Sequence, residues 1–366
     1  MTGVMSDAAL PEDMLAIQIE RFGGPDVLRP VRRRLPEIGP RDILVKVAYC
    51  GVCRHDLLTR SGAFASISLP VILGHQVSGW VAACGVEVVG FEFGEQVMTM
   101  IYTGCGACAQ CVVGNAARCL RSVPTFLGED IDGGYAEYVA VRSDIVLHVP
   151  PNVGLDQAAV VTCTVGTAYH ACTARGGVGR GDTVVVTGAS GGVGLHTVQV
   201  AKMLGARVIA VTSSDAHLAA IEEAGADEVI VSPQRRFANA VKALGAGTGA
   251  DVVIEVVGAP TLNESIHALA PGGRLVVVGN VTGATVELRP AHLILKELSL
   301  IGTKACTRPE IEQVLDMISA GAIKIEVGEV VPLSEVEDVH RRMEAGDAEG
   351  RAVLQVGTAA DRSFSA

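Results

Sequence analysis

The stretch VVVTGASGGVGLHTVQVAKMLG, residues 184–205, decides the fold of much of this 366-residue chain. A run of three valines followed by Thr187 leads to Gly188, and an amphipathic helical pattern begins a few residues later. Gly191, Gly192 and Gly194 lie between the two, where glycines let a backbone approach a pyrophosphate and a helix N-terminus offers free N–H groups. The pattern predicts a dinucleotide-binding turn, and a purely structural turn is the alternative.

The pattern of apolar residues differs between the two parts of the chain. Continuous apolar runs such as RVIAVTS and DVVIEVVG alternate with helical stretches, which predicts a doubly wound α/β domain with a parallel sheet over residues 161–303. Residues 14–160 contain short alternating runs broken by Gly and Pro, which predict a β-rich domain. The terminal run GRAVLQV predicts a strand that joins this domain, which then comprises residues 14–160 and 304–366. Residues 1–13 are predicted to be a disordered leader.

Composition excludes several partners. The net charge of −11 and the pI near 5.3 argue against nucleic acid and anionic lipid. No run approaches the roughly 20 apolar residues that cross a bilayer, and acidic residues occupy the N-terminus where a signal peptide needs basic ones. We therefore expect a cytoplasmic protein with no nucleic-acid or membrane partner, in which the ten cysteines are free, catalytic or metal-bound.

Four cysteines cluster in TGCGACAQCVVGNAARCL, residues 103–120. Cys105, Cys108, Cys111 and Cys119 lie among Gly, Ala, Gln and Asn rather than singly in apolar strands. Four thiolates in one short loop can surround a tetrahedral ion without leaving an open position. The spacing predicts a structural zinc site, with scattered core cysteines and an iron–sulfur cluster as alternatives.

The stretch CGVCRHD, residues 50–56, is ambiguous by itself, because C-x-x-C fits a redox pair as well as two metal ligands. A catalytic zinc needs three protein ligands and one exchangeable position. Cys53, His75 and Cys163 form a candidate set. Spacing alone leaves a packing role open for each of them.

The order of these motifs resembles a known family. CGVCRHD, GHQVSG, the four-cysteine loop, TCTVGTAYH and TGASGGVG are similar, over about residues 14–356, to the zinc-dependent alcohol dehydrogenases of the medium-chain dehydrogenase/reductase superfamily. The resemblance implies a GroES-like catalytic domain plus a Rossmann domain, with Cys53, His75 and Cys163 on a catalytic zinc and Asp56 orienting His75. It also implies hydride transfer between a nicotinamide and a zinc-bound alcohol, aldehyde or ketone.

Two positions depart from the family pattern. His55 stands where most members have a Ser or Thr that relays the alcohol proton, and an imidazole can also carry a proton near neutral pH. Gln76 replaces the usual Glu after the histidine ligand, which removes negative charge near the metal. The stretches GASGGVGLHTVQVAK and GGRLVVVGNVT resemble acryloyl-CoA reductases and quinone oxidoreductases. NADPH-dependent reduction of an enoyl-CoA or enone is therefore the alternative activity, and a non-catalytic zinc and dinucleotide-binding scaffold is the second alternative.

The strand after the glycine turn ends in V-T-S-S, residues 211–214, with no acid before Asp215. Because a carboxylate there would bind the ribose hydroxyls and repel a 2′-phosphate, its absence favours NADP(H) over NAD(H). The resemblance adds Arg54 and Arg351 near the pyrophosphate and Thr167 near the nicotinamide. The predicted cofactor-binding set is Arg54, Thr167, Gly188, Ser190, Gly191, Gly192, Val193, Gly194, Thr212, Ser213, Ser214, Val257, Asn280 and Arg351. We expect a small-molecule alcohol, carbonyl or enoyl substrate and two zinc ions per chain, and the resemblance implies a homodimer or homotetramer.

Overall fold

The computed structural model describes residues 10–64, 67–245, 247–347 and 350–357. The chain forms two units, which we treat separately: unit 1 comprises Met1–Thr162, Thr307–Ser319 and Glu326–Ala366, and unit 2 comprises Cys163–Cys306 and Ala320–Ile325. The domain boundaries given above stay a prediction beside this division. Residues 1–9 of the predicted leader lie outside the described residues, and the first strand begins at Asp13.

Unit 1 is built mostly of strands. The first part of the chain forms β1 (Asp13–Ile19), β2 (Arg29–Arg34), β3 (Asp42–Gly51), α1 (Arg54–Ser61), β4 (Val71–Ile72), β5 (Gln76–Cys84), β6 (Gln96–Thr99), β7 (Tyr102–Thr103), α2 (Ala109–Val112), β8 (Thr125–Phe126), β9 (Tyr138–Arg142), β10 (Val146–His148) and α3 (Leu155–Val161). A π-helical turn, Thr162–Gly166, follows α3 directly.

Unit 2 alternates strands and helices. Its elements are α4 (Thr167–His170), β11 (Thr183–Thr187), α5 (Gly192–Met203), β12 (Arg207–Thr212), α6 (Leu218–Glu223), β13 (Glu228–Val231), α7 (Ala238–Leu244), β14 (Ala250–Glu255), α8 (Leu262–Ala268), β15 (Leu269–Val277), α9 (Pro290–Lys296) and β16 (Ser299–Gly302). The chain then returns to unit 1 with α10 (Arg308–Ser319), β17 (Glu329–Pro332), α11 (Val336–Ala345) and β18 (Ala352–Gln355).

The main sheet of unit 1 is seven-stranded, with the order β10-β6-β5-β3-β18-β17 and with β9 also paired to β3. Strand β3 is central because β5 lies along one edge, while β9 and β18 share the other. Its apolar sequence, ILVKVAYC, suits a strand that is buried along most of its length. The C-terminal strand β18 therefore joins the sheet of the first domain, as its sequence predicts.

The sheet of unit 2 is six-stranded, with the order β13-β12-β11-β14-β15-β16, and all of its neighbours are parallel. Its interior is apolar, with Val185, Ile209, Val253 and Leu275 each at 0% exposure. The strand order reverses between β11 and β14, and ligands of such sheets bind at the carboxyl ends of the strands at this point. The predicted α/β class, a β-rich domain plus a doubly wound domain with a parallel sheet, is confirmed.

No helix among the described residues has the length and apolarity that a membrane span requires.

Candidate functional site

The three predicted ligands of the catalytic zinc come from three separate segments. Cys53 caps the N-terminus of α1, His75 lies between β4 and β5, and Cys163 follows α3 in the π-helical turn. One donor atom from each residue lies within 4.8 Å of the other two. His75 is only 1% exposed. Three donors meeting at one point leave the fourth position of a tetrahedral metal open.

The Asp56 carboxylate contacts the Nδ1 side of the His75 ring. Its Oδ1 is 2.9 Å from Nδ1 of His75, and its Oδ2 accepts the backbone N–H of Cys53 at 2.8 Å. A carboxylate that accepts from Nδ1–H fixes the orientation of the ring and leaves Nε2 for a metal. The geometry is therefore compatible with the predicted orienting role of Asp56.

The surroundings of His75 fit a cation. Burial by itself would lower the pKa of His75, but Asp56 and, less strongly, Cys53 outweigh it and raise this pKa to about 10. Two thiols and an imidazole are also typical zinc donors.

Gln76, the residue after His75, is buried. Within the described residues, neither of its polar side-chain atoms has a hydrogen-bond partner, so both are left for a water or a ligand.

His55, the predicted proton relay, lies between two aromatic rings. Its ring stacks on Phe64 with centroids 4.9 Å apart and on Phe126 with centroids 4.6 Å apart. The edge of the His75 ring is close, with a centroid separation of 5.6 Å. Nε2 of His55 forms a short contact with Oε1 of Glu129. The ring is thus fixed beside the candidate metal site, with one nitrogen already engaged.

Sequence reasoning missed Glu129. Burial opposes its ionisation, but His55, together with Thr59 and His75, outweighs burial and lowers the pKa of Glu129. The Thr59 hydroxyl donates to the same Oε1 at 2.7 Å. Glu129 is 74 residues from His55 in a loop with several acids, so no spacing or periodicity marks it.

The four-cysteine loop has the geometry of a tetrahedral sulfur site. Cys105, Cys108, Cys111 and Cys119 present their sulfurs within 4.8 Å of one another, and the recorded Sγ–Sγ separations are 3.5 to 3.9 Å. Four sulfurs at Zn–S distances of about 2.3 Å stand about 3.8 Å apart. A Cβ on Gly104 would lie 2.6 Å from Sγ of Cys111, so the loop closes only over a glycine. The residues fit a structural zinc.

Hydrogen bonds to sulfur support thiolates in this loop. The Ser122 hydroxyl, followed by backbone N–H groups, lowers the pKa of Cys119 to about 5. The Leu120 N–H, at 3.4 Å, is the main cause that lowers the pKa of Cys108 to about 7. Burial and then the neighbouring sulfurs raise the pKa of Cys111 to about 12, because thiolates that lie close together repel one another.

The glycine turn of unit 2 lies where the sequence predicts, between β11 and α5. Gly188 has a φ of +60°, which favours glycine, and a Cβ on Gly194 would lie 2.1 Å from the Gly188 carbonyl oxygen. The exposed Gly191 caps α5, and Ser190 and Val193 lie in the same turn. The first turn of α5 consequently offers backbone N–H groups near the sheet's switch point, which fits a pyrophosphate.

The end of β12 also fits a phosphate. Thr212 is buried and accepts the Ser214 N–H, whereas Ser213 and Ser214 are exposed. Arg235 and Arg236 are exposed in the loop after the neighbouring parallel strand β13, hence at the same edge of the sheet. Neither guanidinium forms a hydrogen bond or an ion pair with another described residue.

Arg207, a third arginine in this part of the chain, does not lie near Ser213 and Ser214. It begins β12 at the opposite edge of the sheet, and its Nη2 donates to Glu228 at 2.5 Å.

Other predicted cofactor residues occupy defined positions. Arg54 is exposed on α1 and donates to the Met343 carbonyl at 3.2 Å. Arg351 is buried and donates to the Val52 carbonyl at 2.9 Å. Thr167 begins α4. The contacts of all three with a cofactor stay predictions.

Val257 and Asn280 follow β14 and β15, at the same sheet edge as the glycine turn. The Val257 N–H donates to the fully buried carboxylate of Glu255 at 2.9 Å, and Asn280 Oδ1 accepts the Ala259 N–H at 3.3 Å. The Thr187 hydroxyl donates to the same carboxylate at 2.7 Å. Sequence reasoning did not identify Glu255, which ties the loop of Val257 to β11.

Comparison with known families gives two matches. Residues 39–151 match the alcohol dehydrogenase GroES-like domain, and residues 192–320 match the zinc-binding dehydrogenase family. The first match covers most of the β-rich segment that contains Cys53 and His75, and the second covers most of the Rossmann sheet.

Individual relatives match along most of their length. The acryloyl-coenzyme A reductase of Sulfurisphaera tokodaii is 34% identical over 321 residues, which is 87% of this chain and 94% of that protein. The NAD-dependent alcohol dehydrogenase of Sulfolobus acidocaldarius is 33% identical and covers 94% of this chain and 100% of its own. The crystal structure of AibC is 40% identical, with a TM-score of 0.89, and covers 95% of this chain and 97% of its own.

Proposed function

The chain belongs to the zinc-dependent alcohol dehydrogenase family of the medium-chain dehydrogenase/reductase superfamily, and from this premise we propose that it interconverts an alcohol with an aldehyde or ketone, using zinc and NAD(P)(H). It is an oxidoreductase. The observation that carries the proposal is the convergence of Cys53, His75 and Cys163 with Asp56 behind the imidazole. A second zinc would occupy the four-cysteine loop.

The residues of the site divide the chemical tasks. When bound, zinc supplies a Lewis acid for the substrate oxygen, and the nicotinamide supplies or accepts the hydride. Cys53 and Cys163 would bind as thiolates, and His75 through Nε2, because Asp56 engages its Nδ1. His55 would hold the alcohol proton at Nδ1, since its Nε2 faces Glu129.

The direct test is Cys53→Ser. We expect loss of one zinc per chain and a fall of at least about 100-fold in turnover, because the substrate oxygen loses its electrophile. Cys84→Ser is the matched control, since Cys84 is a buried free cysteine on β5 outside both clusters. Unchanged turnover and zinc content in Cys53→Ser would rule out zinc catalysis at this site.

Reduction of an α,β-unsaturated thioester is the second candidate. It is favoured by the 34% identity to an acryloyl-coenzyme A reductase and by the placement of His55 where most alcohol dehydrogenases have a hydroxyl. Alcohols, aldehydes and enoyl-CoA thioesters should be assayed in parallel with NADH and NADPH. Oxidation of NAD(P)H with enoyl-CoA and none with carbonyl compounds would replace the leading proposal with this one.

We propose NADP(H) as the preferred cofactor. The 2′-phosphate would meet the exposed hydroxyls of Ser213 and Ser214 together with Arg235 and Arg236 at the same sheet edge. The double variant Arg235→Ala/Arg236→Ala should raise KM for NADPH about 10-fold or more and leave KM for NADH nearly unchanged. Arg175→Ala is a control in the same unit. It also removes one arginine charge, but the Arg175 guanidinium already donates to the Gly302 carbonyl. An equal effect on both cofactors would contradict the proposed phosphate site.

Location and assembly stay part of the proposal. We propose a cytoplasmic homodimer or homotetramer that acts on small molecules and has no nucleic-acid or membrane partner, in keeping with the net charge of −11. Light scattering coupled to gel filtration would distinguish monomer, dimer and tetramer.

A further inference from the structure

A buried row of polar side chains leads from α11 to the candidate metal site, entirely inside unit 1. Arg60, Tyr135 and His340 are each 0% exposed, and Asp56 is 2% exposed. Nη1 of Arg60 is 3.2 Å from Nδ1 of His340, and Nε2 of His340 is 3.1 Å from the Tyr135 hydroxyl. The Tyr135 hydroxyl also faces the Asp56 carboxylate, whose negative charge is one cause of the raised pKa of this hydroxyl.

The donor and the acceptor of each hydrogen bond can be assigned by starting from Arg60, at one end of the row. A guanidinium has only donors, so Nδ1 of His340 must accept from Arg60 and the ring proton must lie on Nε2. Nε2–H then donates to the Tyr135 oxygen, which leaves the Tyr135 O–H to donate onward. The Asp56 carboxylate that it faces is an acceptor when ionised, so the row has one consistent direction.

The row ends at the metal-site histidine. The Asp56 carboxylate, which the Tyr135 hydroxyl faces, accepts from Nδ1 of His75 at 2.9 Å and from the Cys53 N–H at 2.8 Å. A carboxylate with a donor on each oxygen and a third polar group facing it has little freedom to rotate. Because bulk water cannot reach these groups, no other donor is at hand to replace a lost one.

The other end of the row is anchored in two ways. Arg60 Nε donates to the Gly23 carbonyl at 3.2 Å, and Nη2 forms a short ion pair with Glu344, which is 43% exposed. Asp56 and Arg60 are four residues apart on α1, hence on the same face of that helix. His340 and Glu344 have the same spacing on α11. The row therefore joins α11 to α1.

We propose that Arg60, His340 and Tyr135 are positioning residues that hold Asp56, and through it the His75 ring, in the orientation for metal binding. This inference rests on the proposed role of His75 as a zinc ligand. It assigns to helix α11 a part in metal retention, although the helix supplies no ligand.

The charge states of the row suit this role. Burial raises the pKa of the Tyr135 hydroxyl well above 10. Burial, followed by the charge of Arg60, lowers the pKa of His340 to about 4, although Asp56 acts in the opposite direction. Both groups consequently stay neutral through the usual working range of pH, and the direction of the hydrogen bonds does not change there.

The test measures zinc release from the holoenzyme to a chromophoric chelator in wild type, Tyr135→Phe, His340→Leu and His340→Gln. We expect the zinc held by Cys53 to leave about 10-fold faster in Tyr135→Phe and His340→Leu, because loss of outer hydrogen-bond partners typically costs 10- to 100-fold in metal affinity. His340→Gln should stay within about 2-fold of wild type, since an amide offers both an acceptor and a donor. Zinc in the four-cysteine loop is the internal control and should leave at the same rate throughout.

Two results would overturn the proposal: equal release from wild type and Tyr135→Phe, or His340→Gln as fast as His340→Leu. A second measurement needs no variant. ¹⁵N spectra of histidine-labelled wild type should show His340 protonated at Nε2, and a proton on Nδ1 would overturn the proposed direction. A wild type without any Cys53-dependent zinc would instead contradict the proposed function, and the spectra would still test the row.

Discussion

At the scale of single residues, His55 has surroundings that its position in the motif does not reveal. Its ring is fixed between Phe64 and Phe126, and Glu129 engages Nε2. A Ser or Thr hydroxyl at this position could rotate about a single bond. The His55 ring is instead held by stacking against two phenyl rings. The nitrogen that remains, Nδ1, is therefore presented in a fixed direction.

Glu129→Ala tests whether that direction matters. Without its acceptor the His55 ring can turn between the phenyl groups, so we expect kcat to fall about 10-fold with a smaller change in KM. The measurement is steady-state kinetics with the best substrate of the panel. Glu95→Ala is the matched control, because Glu95 contacts His148 at 3.0 Å in an exposed pair. Equal kinetics of Glu129→Ala and wild type would show that Glu129 does not orient His55 for turnover.

At the scale of elements, short segments concentrate the chemistry. The eight-residue helix α1 begins after Cys53 and carries His55, Asp56 and Arg60, so about two helical turns connect a predicted ligand, a relay candidate and the buried hydrogen-bond row. The glycine turn before α5 likewise combines a left-handed glycine with a close approach of two backbones. In both elements the backbone conformation is tightly constrained, and this fixes the positions of the groups that would bind metal or cofactor.

Gly104→Ala should disrupt the four-cysteine loop. The added Cβ would lie 2.6 Å from Sγ of Cys111, so the loop must open and the sulfur must move away from its neighbours. We expect zinc content to fall by up to one ion per chain, measured by elemental analysis, while the Cys53-dependent zinc is kept. Gly179→Ala is the control, because a Cβ there meets no heavy atom within 4 Å. Full zinc content in Gly104→Ala would contradict a tight sulfur site in this loop.

Gly194→Ala should impair the glycine turn. A Cβ at this position would lie 2.1 Å from the Gly188 carbonyl oxygen, so α5 must move away from β11. We expect the dissociation constants for NADH and NADPH to rise together by about 10-fold or more, because both cofactors share the pyrophosphate. Cofactor fluorescence titration measures both. Gly302→Ala on β16, where a Cβ meets nothing within 4 Å, provides the control, and unchanged affinity in Gly194→Ala would argue against this binding turn.

At the scale of the whole molecule, the chain leaves unit 1, forms unit 2 and returns to unit 1 with α10, β17, α11 and β18. The returning segment completes the main sheet through the β3–β18 pairing, and α11 brings His340 to the buried row. Elements from both ends of the chain thus hold unit 1 together. The stability of unit 1 should consequently respond to groups on α11.

One such response is to pH. His340 has a pKa of about 4 in the folded chain and about 6.5 when unfolded, so between these values the unfolded state binds more protons and stability falls as pH falls. Lowering the pH from 7 to 5 should remove about 2 kcal/mol through this residue. Arg60 and Asp56 face it with opposite charges, and Tyr135 faces it as a neutral group.

Thermal unfolding of wild type and His340→Gln at pH 7 and pH 5 measures this contribution. Other titrating groups affect both proteins alike, so the difference between the two pH responses reports His340. The variant should lose less stability on acidification than wild type. Equal losses in both proteins would contradict the neutral, buried state of His340.

The sequence by itself determined the fold class, the glycine turn, and the grouping of four cysteines. These features are local: strand and helix periods, a turn within a few residues, and ligands in one short loop all depend on neighbours along the chain. The family resemblance extended this to Cys53, His75 and Cys163, whose separate motifs the sequence contains but whose convergence it does not show.

Only the tertiary structure decided the surroundings of the site. The contacts of His55 with Glu129, of Arg60 with His340, and of His340 with Tyr135 join residues that are 74, 280 and 205 positions apart. No period or spacing encodes such pairs. They arise because the main sheet of unit 1 brings distant segments together and excludes water, so each buried polar group must find its partner inside the protein.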